Sequence, residues 1–553
     1  MIRKTVTPVF FIVVFIIIAF PCVVRADLIN KDSLKNPQIL SNIILKQSED
    51  KDPLTAERLL LTAAKIYPDN PAIYFMLFKK TIALNPTGFV SSLRYLYKGL
   101  TACRDNFWWR FNLRGLLIAT IVITFFLLSL FIALLRLSGD TQLIIHEAEE
   151  DLKNASFLAV IPISFFGLPY LTASLLFLAF LNVRGNSRLT GYVLLALLIL
   201  VFPLGRYLDR YIGSGASPAL KAAVSINEGL ESPSFWGQIK ERTDFVSRFS
   251  YALSLQKNGS FDEAIKIYKG ILSKKRDARV YINLGNCYAG QGDLDNAGKM
   301  YQEAIKITPL PSAYYNLSII ARERLDFISG DKLFAKAVKM DFQRITRFRE
   351  VWSSIDSMHF MSERLSLPEL LRFARKIGNT GKGGALWKFY LFSIVALILI
   401  AILYIRRKSP GDAMRCPKCG KIFCLRCQKR LFWGGMCSEC FRNMITFETN
   451  PAERIEHILQ TYRYREQRKA VLSVLTYIVP GASLILGNRF LAGTVFLTSF
   501  LFFTLLALLS RVFTFNIYPY SPGWLTLLSV LMMAVTYTLS LIYTRKRLKK
   551  GWL

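Results

Sequence analysis

The sequence predicts an all-α protein in which multi-pass transmembrane helices alternate with α-solenoid soluble domains and a small cysteine-rich module. Three observations lead to this prediction. The chain of 553 residues is 52% hydrophobic with a mean hydropathy of +0.32, which is high for a soluble globular protein. A 33-residue period runs from Phe245 to Gln343. Six of the nine cysteines lie between Cys416 and Cys440.

The net charge of +33 does not by itself indicate nucleic acid. The basic residues are spread over many segments, and they are densest beside hydrophobic runs, as in Arg406-Arg407-Lys408. Positive charge in this position is typical of the cytoplasmic ends of transmembrane helices. We therefore expect a membrane protein and do not expect nucleic acid as a partner.

The N-terminus has the pattern of a signal peptide over residues 1–26. Arg3 and Lys4 precede an apolar run, and Val24-Arg25-Ala26 offers small residues suited to cleavage. Residues 27–110 then read as a helical, exported domain. Residues 113–204 contain apolar stretches sufficient for two to three transmembrane helices.

The main soluble domain is predicted over residues 205–385. It contains three repeats at about 245–277, 278–310 and 311–343. The middle copy carries Tyr281-x2-Leu284-Gly285-x2-Tyr288, followed by Ala297-x3-Tyr301 and Pro309. This pattern resembles the tetratricopeptide repeat family, with Tyr at the usual Trp position. Residues 27–110 share part of the same pattern, in Ala56, Leu60 and Ala63.

The resemblance implies stacked helix pairs that bind proteins rather than transform substrates. In such arrays the first helix of each pair lines a concave groove, where Asn283 and Asn316 occupy equivalent positions. An Asn side chain both donates and accepts hydrogen bonds, so it can hold an extended peptide backbone. Arg279 and Arg322 are candidates for contacting a partner's terminal carboxylate, although the family's full clamp pattern is not present. The alternative is that these four residues are solvated groove positions.

A further transmembrane helix is predicted at 386–405, and a metal-binding cluster follows at 416–440. Cysteines two residues apart are the usual half-site for tetrahedral zinc. Six cysteines allow one site with a spare pair or a two-metal cluster, and the spacing favours Cys416, Cys419, Cys437 and Cys440 as one tetrad. All-cysteine sites are structural, so we expect Zn²⁺ without catalysis. The six candidate ligands are Cys416, Cys419, Cys424, Cys427, Cys437 and Cys440.

Residues 450–470 are predicted to form an amphipathic basic helix, followed by a membrane hairpin region at 471–543. Ile455, Ile458, Leu459 and Tyr462 share one helix face, and basic residues follow towards the apolar run. Such a helix is expected to lie on an anionic lipid surface.

These observations favour a non-enzymatic scaffold of the bacterial inner membrane that recruits protein partners through its repeat groove. No small-molecule substrate is implied. We expect the N-terminal domain to be extracytoplasmic and the cysteine cluster to be cytoplasmic, because thiols stay reduced there. Two alternatives remain open: a component of an envelope export, transport or assembly complex, and a zinc- or redox-linked sensor.

Overall fold

The computed structural model describes residues 37–85, 89–150, 168–180, 186–229, 233–352, 360–380, 395, 398, 414–423, 436–446, 450–487, 489–512 and 523–550. Over these residues the protein is helical, apart from loops and one two-stranded antiparallel sheet. The predicted all-α class is therefore confirmed for the described part of the chain. The predicted signal peptide and most of the predicted helix at 386–405 lie outside it.

The chain divides into two compact units. Unit 1 comprises residues 1–106, 225–364 and 515–520, and unit 2 comprises residues 107–224, 365–514 and 521–553. The repeats lie in unit 1, whereas the cysteine cluster and the long apolar helices lie in unit 2.

Unit 1 begins with two helical hairpins. Asp52 and Asn70 cap the second and third helices through their side chains, and Pro53 and Pro71 occupy the first turns, where the missing proline N–H leaves no bond unmade. Ala56, Leu60 and Ala63 are fully buried, so the predicted repeat-like spacing marks a packed helix face. The helices are α1 (Pro37–Glu49), α2 (Pro53–Ile66), α3 (Pro71–Leu84) and α4 (Phe89–Asp105).

Four helices follow along the chain, and the last of them begins in unit 2 and ends in unit 1. They are α5 (Phe107–Glu150), α6 (Leu168–Phe180), α7 (Asn186–Ala216) and α8 (Pro218–Glu228). Helices α5, α6 and α7 pack against one another through apolar side chains such as Leu128, Leu176 and Leu194. Part of α5, Phe107–Gly139, is long and apolar enough to cross a membrane.

The 33-residue period corresponds to three helix pairs in unit 1. In each pair a first helix is followed along the chain by a second helix. The array is completed by a short helix before it and one helix after it. The elements are α9 (Trp236–Ile239), α10 (Phe245–Lys257), α11 (Phe261–Leu272), α12 (Ala278–Gly290), α13 (Leu294–Ile307), α14 (Pro311–Glu323), α15 (Phe327–Met340) and α16 (Phe342–Trp352).

The turn inside each pair has the same backbone shape. Gly259 and Gly292 have φ of +80° and +83°, and Leu325 stands at the third equivalent position with φ of +62°. Glycine adopts this left-handed conformation without a steric penalty, whereas leucine does not. Tyr268 and Tyr301, also one period apart, are fully buried in the second helices. The repeat positions seen in the sequence thus mark the turn and the core.

The remainder of unit 2 contains two further candidate spans, Phe490–Val512 and Gly523–Lys549. With α5, three helices of the described residues are long and apolar enough to cross a membrane. The elements are α17 (Leu367–Thr380), β1 (Met414–Arg415), β2 (Ile422–Phe423), α18 (Ser438–Phe441), α19 (Pro451–Ile478), α20 (Ala482–Leu486), α21 (Phe490–Val512) and α22 (Gly523–Lys549).

Candidate metal centre and peptide-binding groove

Four of the six clustered cysteines converge in unit 2. Cys416 and Cys419 lie in the turn between β1 and β2, where the Cys416 N–H donates to the Lys421 carbonyl at 2.8 Å and the Gly420 N–H donates to the Cys416 carbonyl at 2.9 Å. Cys437 and Cys440 lie at the start of α18, with the Cys440 N–H 3.5 Å from the Cys437 Sγ. A two-stranded turn and a helix start therefore face each other.

The distances between the thiols fit a tetrahedral metal site. The Sγ atoms of Cys416 and Cys440 are 3.7 Å apart, and those of Cys419 and Cys437 are 3.6 Å apart. A zinc–sulfur bond of about 2.3 Å gives a tetrahedral edge of about 3.8 Å, whereas a disulfide would require about 2.0 Å. All four sulfurs lie within 4.8 Å of one another. Four soft, mostly buried thiol ligands in this geometry can hold a metal ion.

The electrostatics of this group also suit a cation. Although burial acts to raise it, backbone hydrogen bonds from Cys419, Cys437 and Lys418 bring the pKa of the Cys416 thiol down to about 7. Burial is the main cause that raises the pKa of Cys437 to about 11, and it also raises the pKa of Cys440. Four thiolates in so small a volume would repel one another, so a bound divalent cation would be needed to hold all four cysteines in the deprotonated form.

A histidine that the sequence analysis did not single out lies against this group. The Nε2 atom of His457 is 3.3 Å from the Cys440 Sγ, and His457 is buried on α19. Two helical turns further along α19, the Tyr464 ring covers Gly420, whose φ is +79°. A side chain at position 420 would meet that ring at 2.4 Å. Thus α19 packs on the β1–β2 turn and on Cys440 through His457 and Tyr464, which are spaced i and i+7.

Cys424 and Cys427, the remaining predicted ligands, lie outside the described residues. Both alternatives for the six cysteines, one metal site with two further cysteines or a two-metal cluster, therefore stay open. On the face of α19 predicted to contact lipid, Ile455, Ile458 and Leu459 are exposed. They are separate from the buried His457, so one face of α19 meets the cysteine group and another remains apolar and uncovered among the described residues.

In unit 1, the groove asparagines hold a segment of the chain itself, Phe360–Arg364, which we call the strap. The Glu363 N–H donates to Asn283 Oδ1 at 2.8 Å, and Asn283 Nδ2 donates to the Glu363 carbonyl at 3.0 Å. Asn316 forms the same pair with Met361, at 2.8 and 3.0 Å. Each side-chain amide therefore takes the place of a neighbouring peptide group. Contacts from alternate residues to one side are what an extended segment provides.

A third asparagine, Asn286, also contacts the strap, and we call Asn283, Asn286 and Asn316 the asparagine ladder. Asn286 Nδ2 lies 3.2 Å from both the Met361 carbonyl and the Ser362 Oγ. Its Oδ1 accepts from the Tyr301 hydroxyl at 2.7 Å and from Asn316 Nδ2 at 2.9 Å. Its orientation is thus fixed from both sides. Asn286 escaped sequence reasoning because the equivalent positions in the other copies hold Leu253 and Ile319.

Three side chains of the strap have defined surroundings in the groove. The Glu363 carboxylate accepts from Ser312 Oγ at 2.5 Å and from Arg344 Nη2 at 2.9 Å. Met361 is 3% exposed and packs in the apolar cluster of α14, α15 and α16. The Phe360 ring lies 6.3 Å from that of Tyr301, with the planes 30° apart.

The two arginines predicted to contact a partner's carboxylate pair with acids of the array in this structure, and their contact with a partner stays a prediction. Arg279 Nη2 donates to Asp277 at 2.8 Å, within the cap of α12, and Arg322 Nη2 donates to Asp331 at 2.8 Å. Arg344, which sequence reasoning did not single out, is the arginine that contacts the strap. No periodic signal could have identified it, since it lies beyond the last repeat.

Comparison with known proteins supports the repeat assignment. Residues 278–309, which span α12 and α13, match the tetratricopeptide repeat family model. No curated protein matches the chain. The class that fold and comparison define is therefore a helical protein with at least one tetratricopeptide repeat, joined to a four-cysteine group that can bind metal.

Proposed function

We propose that this protein is a non-enzymatic membrane scaffold that recruits protein partners through its repeat array and holds its cysteine module together with a structural zinc ion. The asparagine ladder carries this proposal, because it is built to bind a peptide backbone. Tetratricopeptide repeats are in general interaction modules, and the polar groups gathered in the groove hold a peptide segment rather than a small substrate.

The zinc ion is supported by the donor set and by the sulfur spacing of 3.6–3.7 Å. Residues Cys416, Cys419, Cys437 and Cys440 would hold it. When bound, the ion would cross-link the β1–β2 turn to α18 as a closed structural site. His457 would donate or accept at Cys440 and so fix α19 against the module, as outer-shell partners do at metal sites.

The membrane assignment is supported by the three candidate spans and by the lipid-suited face of α19. Basic residues at positions 463, 465, 468 and 469 follow that face, and attraction to anionic lipid would add to apolar contact. We propose the bacterial inner membrane, with the N-terminal domain outside and the cysteine module in the cytoplasm. Reporter fusions at Glu241 and Phe447 would test the orientation of the two soluble parts.

Recruitment is tested with two glycine variants that each add one methyl group. In Gly285→Ala the new Cβ would lie 2.5 Å from the Tyr301 ring, so the middle repeat must distort. In Gly237→Ala the new Cβ meets nothing within 4 Å. We expect proteins cross-linked to the full-length chain in cells, then purified and shown to bind it directly, to lose binding to Gly285→Ala and keep it with Gly237→Ala.

Equal binding of every such protein to both variants, with the array of Gly285→Ala shown to be distorted by limited proteolysis, would contradict recruitment through the repeats. Metal analysis gives the second arm. Purified wild-type protein should contain zinc, and absence of any bound metal would contradict the zinc assignment without bearing on the array.

A further inference from the structure

The strap occupies the groove in the way a peptide ligand would. Asn283 and Asn316 lie one repeat apart and are fully buried, and each forms a donor–acceptor pair with one strap residue. These hydrogen bonds are formed with the backbone N–H and C=O groups of the strap and do not involve its side chains. Recognition of an extended backbone combined with pockets for alternate residues is a recurring mode of peptide binding.

The pockets define what sequence such a peptide needs. The first strap residue, Phe360, lies against an aromatic ring, and the second, Met361, enters an apolar cluster. The third, Ser362, is small and polar, and its hydroxyl accepts from Gln256 Nε2 at 3.1 Å. The fourth, Glu363, is held by Ser312 and by the charge of Arg344. The groove therefore fits an aromatic–apolar–small polar–acidic segment.

We propose that this groove is the site for an extended segment of a protein partner with that pattern, and that the strap is its intramolecular occupant, exchanged when the partner binds. The inference rests on the proposed function, since it names the ligand class of the repeat array. The required acidic side chain inside the segment replaces the terminal carboxylate that Arg279 and Arg322 were expected to bind.

The chemistry of the contacts makes exchange feasible. When the strap leaves, the groups it uncovers are chiefly amides and hydroxyls, for which water is an adequate substitute partner. Only Phe360 and Met361 withdraw large apolar side chains. The strap competes at a high effective concentration because it belongs to the same chain, so a partner with the same pattern binds the wild-type groove weakly unless it adds contacts elsewhere.

The experiment uses the full-length protein in detergent and a fluorescent peptide with the sequence of residues 358–366. Wild type is compared with a strap-opened variant carrying Phe360→Ser, Met361→Ser and Glu363→Ser, which keeps the chain length. We expect the opened variant to bind the peptide about 100-fold more tightly than wild type, because the tethered competitor has been weakened.

Two changes locate the binding. A peptide with Gln in place of Glu363 should bind the opened variant about tenfold more weakly, since a charge-assisted hydrogen bond is lost. Adding Arg344→Gln to the opened variant should produce the same loss and make the two peptides equivalent. Circular dichroism and limited proteolysis establish that the array remains folded in each variant.

An opened variant that is folded and does not bind the peptide would overturn the proposal, as would equal binding by wild type and the opened variant. Failure here is separable from failure of the scaffold function. Partners that are lost from Gly285→Ala yet bind equally to wild type and the opened variant would show that the array recruits through a surface other than this groove.

Discussion

The groove and the cysteine group are two polar centres assembled from residues far apart in the sequence, and they satisfy those residues in different ways. In the groove, neutral amides bind the peptide groups of the strap, so donors and acceptors match within one chain. Among the cysteines, four like groups face one another within 4.8 Å. As thiols they contact one another in pairs, and as thiolates they would need a cation between them.

The two regions therefore depend on different sources of stability. The groove needs no external component, so its geometry should be insensitive to chelators. The cysteine module has a two-stranded sheet, a four-residue α-helix and a five-residue π-helical segment, Arg442–Thr446, as its regular elements among the described residues, which is too little to bury a sizeable core. Metal removal should therefore affect unit 2 near the module and leave the repeats intact.

The largest expected effect comes from Cys440→Ser. Loss of one of four thiol ligands should abolish zinc retention, and structural zinc sites contribute about 10–16 kcal/mol in small peptides at neutral pH. We expect metal analysis to show no zinc and the Cys416 thiol to become reactive. Cys103→Ser, which removes a buried thiol in unit 1, should retain zinc. Retention of zinc by both variants would contradict the tetrad.

In the groove, Asn316→Ala should lower the free energy of unfolding of unit 1 by about 2 kcal/mol, because it leaves the buried Met361 N–H without its acceptor and removes one of the two donors to the Met361 carbonyl. Denaturant unfolding of the full-length protein checks this. Gln291→Ala, at an exposed side chain that bonds to Asp262, is the control and should change stability by less than about 0.5 kcal/mol. Similar effects of the two substitutions would argue against a strap held by the ladder.

A pH-dependent contribution is expected from Glu228 in unit 1. Although the residue as a whole is only partly buried, burial of its carboxyl raises its pKa from 4.5 to about 7, opposed by a hydrogen bond from Gln38. The native state thus prefers the protonated form, so stability is fully present below about pH 4.5 and is lost as the pH rises through 7.

Glu228→Gln should therefore raise the stability of unit 1 at pH 8 by about 2 kcal/mol and flatten its decline between pH 5 and 8. Thermal unfolding across that range provides the measurement. An unchanged slope would show that this carboxyl is not the titrating group.

The smallest expected effect is an increase in the stability of the repeat array. Leu325 occupies the left-handed turn position that Gly259 and Gly292 fill in the other repeats, and its side chain is 75% exposed. Leu325→Gly should stabilise the array by about 1 kcal/mol, since it removes a steric cost without removing a buried contact. The reverse change, Gly292→Leu, should destabilise it. A destabilised Leu325→Gly variant would mean that the leucine has a packing role.

Much of this architecture could be predicted from local sequence. The 33-residue period located the turns and core of the repeats because each pair forms the same contacts. Asn283 and Asn316 were predicted to hold the extended backbone of a partner; in the structure they hold the strap, and their contact with a partner stays a prediction. The spacing of the cysteines favoured the four that converge. In each case the relevant residues recur at a fixed interval, which makes them visible in one sequence.

The rest depended on contacts without such an interval. The strap lies 80 residues from the asparagine that binds Glu363, and nothing in Phe-Met-Ser-Glu distinguishes it from a loop. His457 reaches Cys440 from a separate helix. Arg279 and Arg322 were predicted as ligand contacts, yet nearby acids pair with them. Tertiary packing decides these contacts, and pattern alone does not reveal it.

The most direct test of the closed groove is hydrogen exchange of the full-length protein, with fragmentation that resolves single amides. The Met361 and Glu363 amides should be protected in wild type, because they donate to Asn316 and Asn283, and should lose that protection when both asparagines are replaced by Ala. If these two amides exchange in wild type at the rate of an unstructured peptide, the strap is not held in the groove by Asn283 and Asn316.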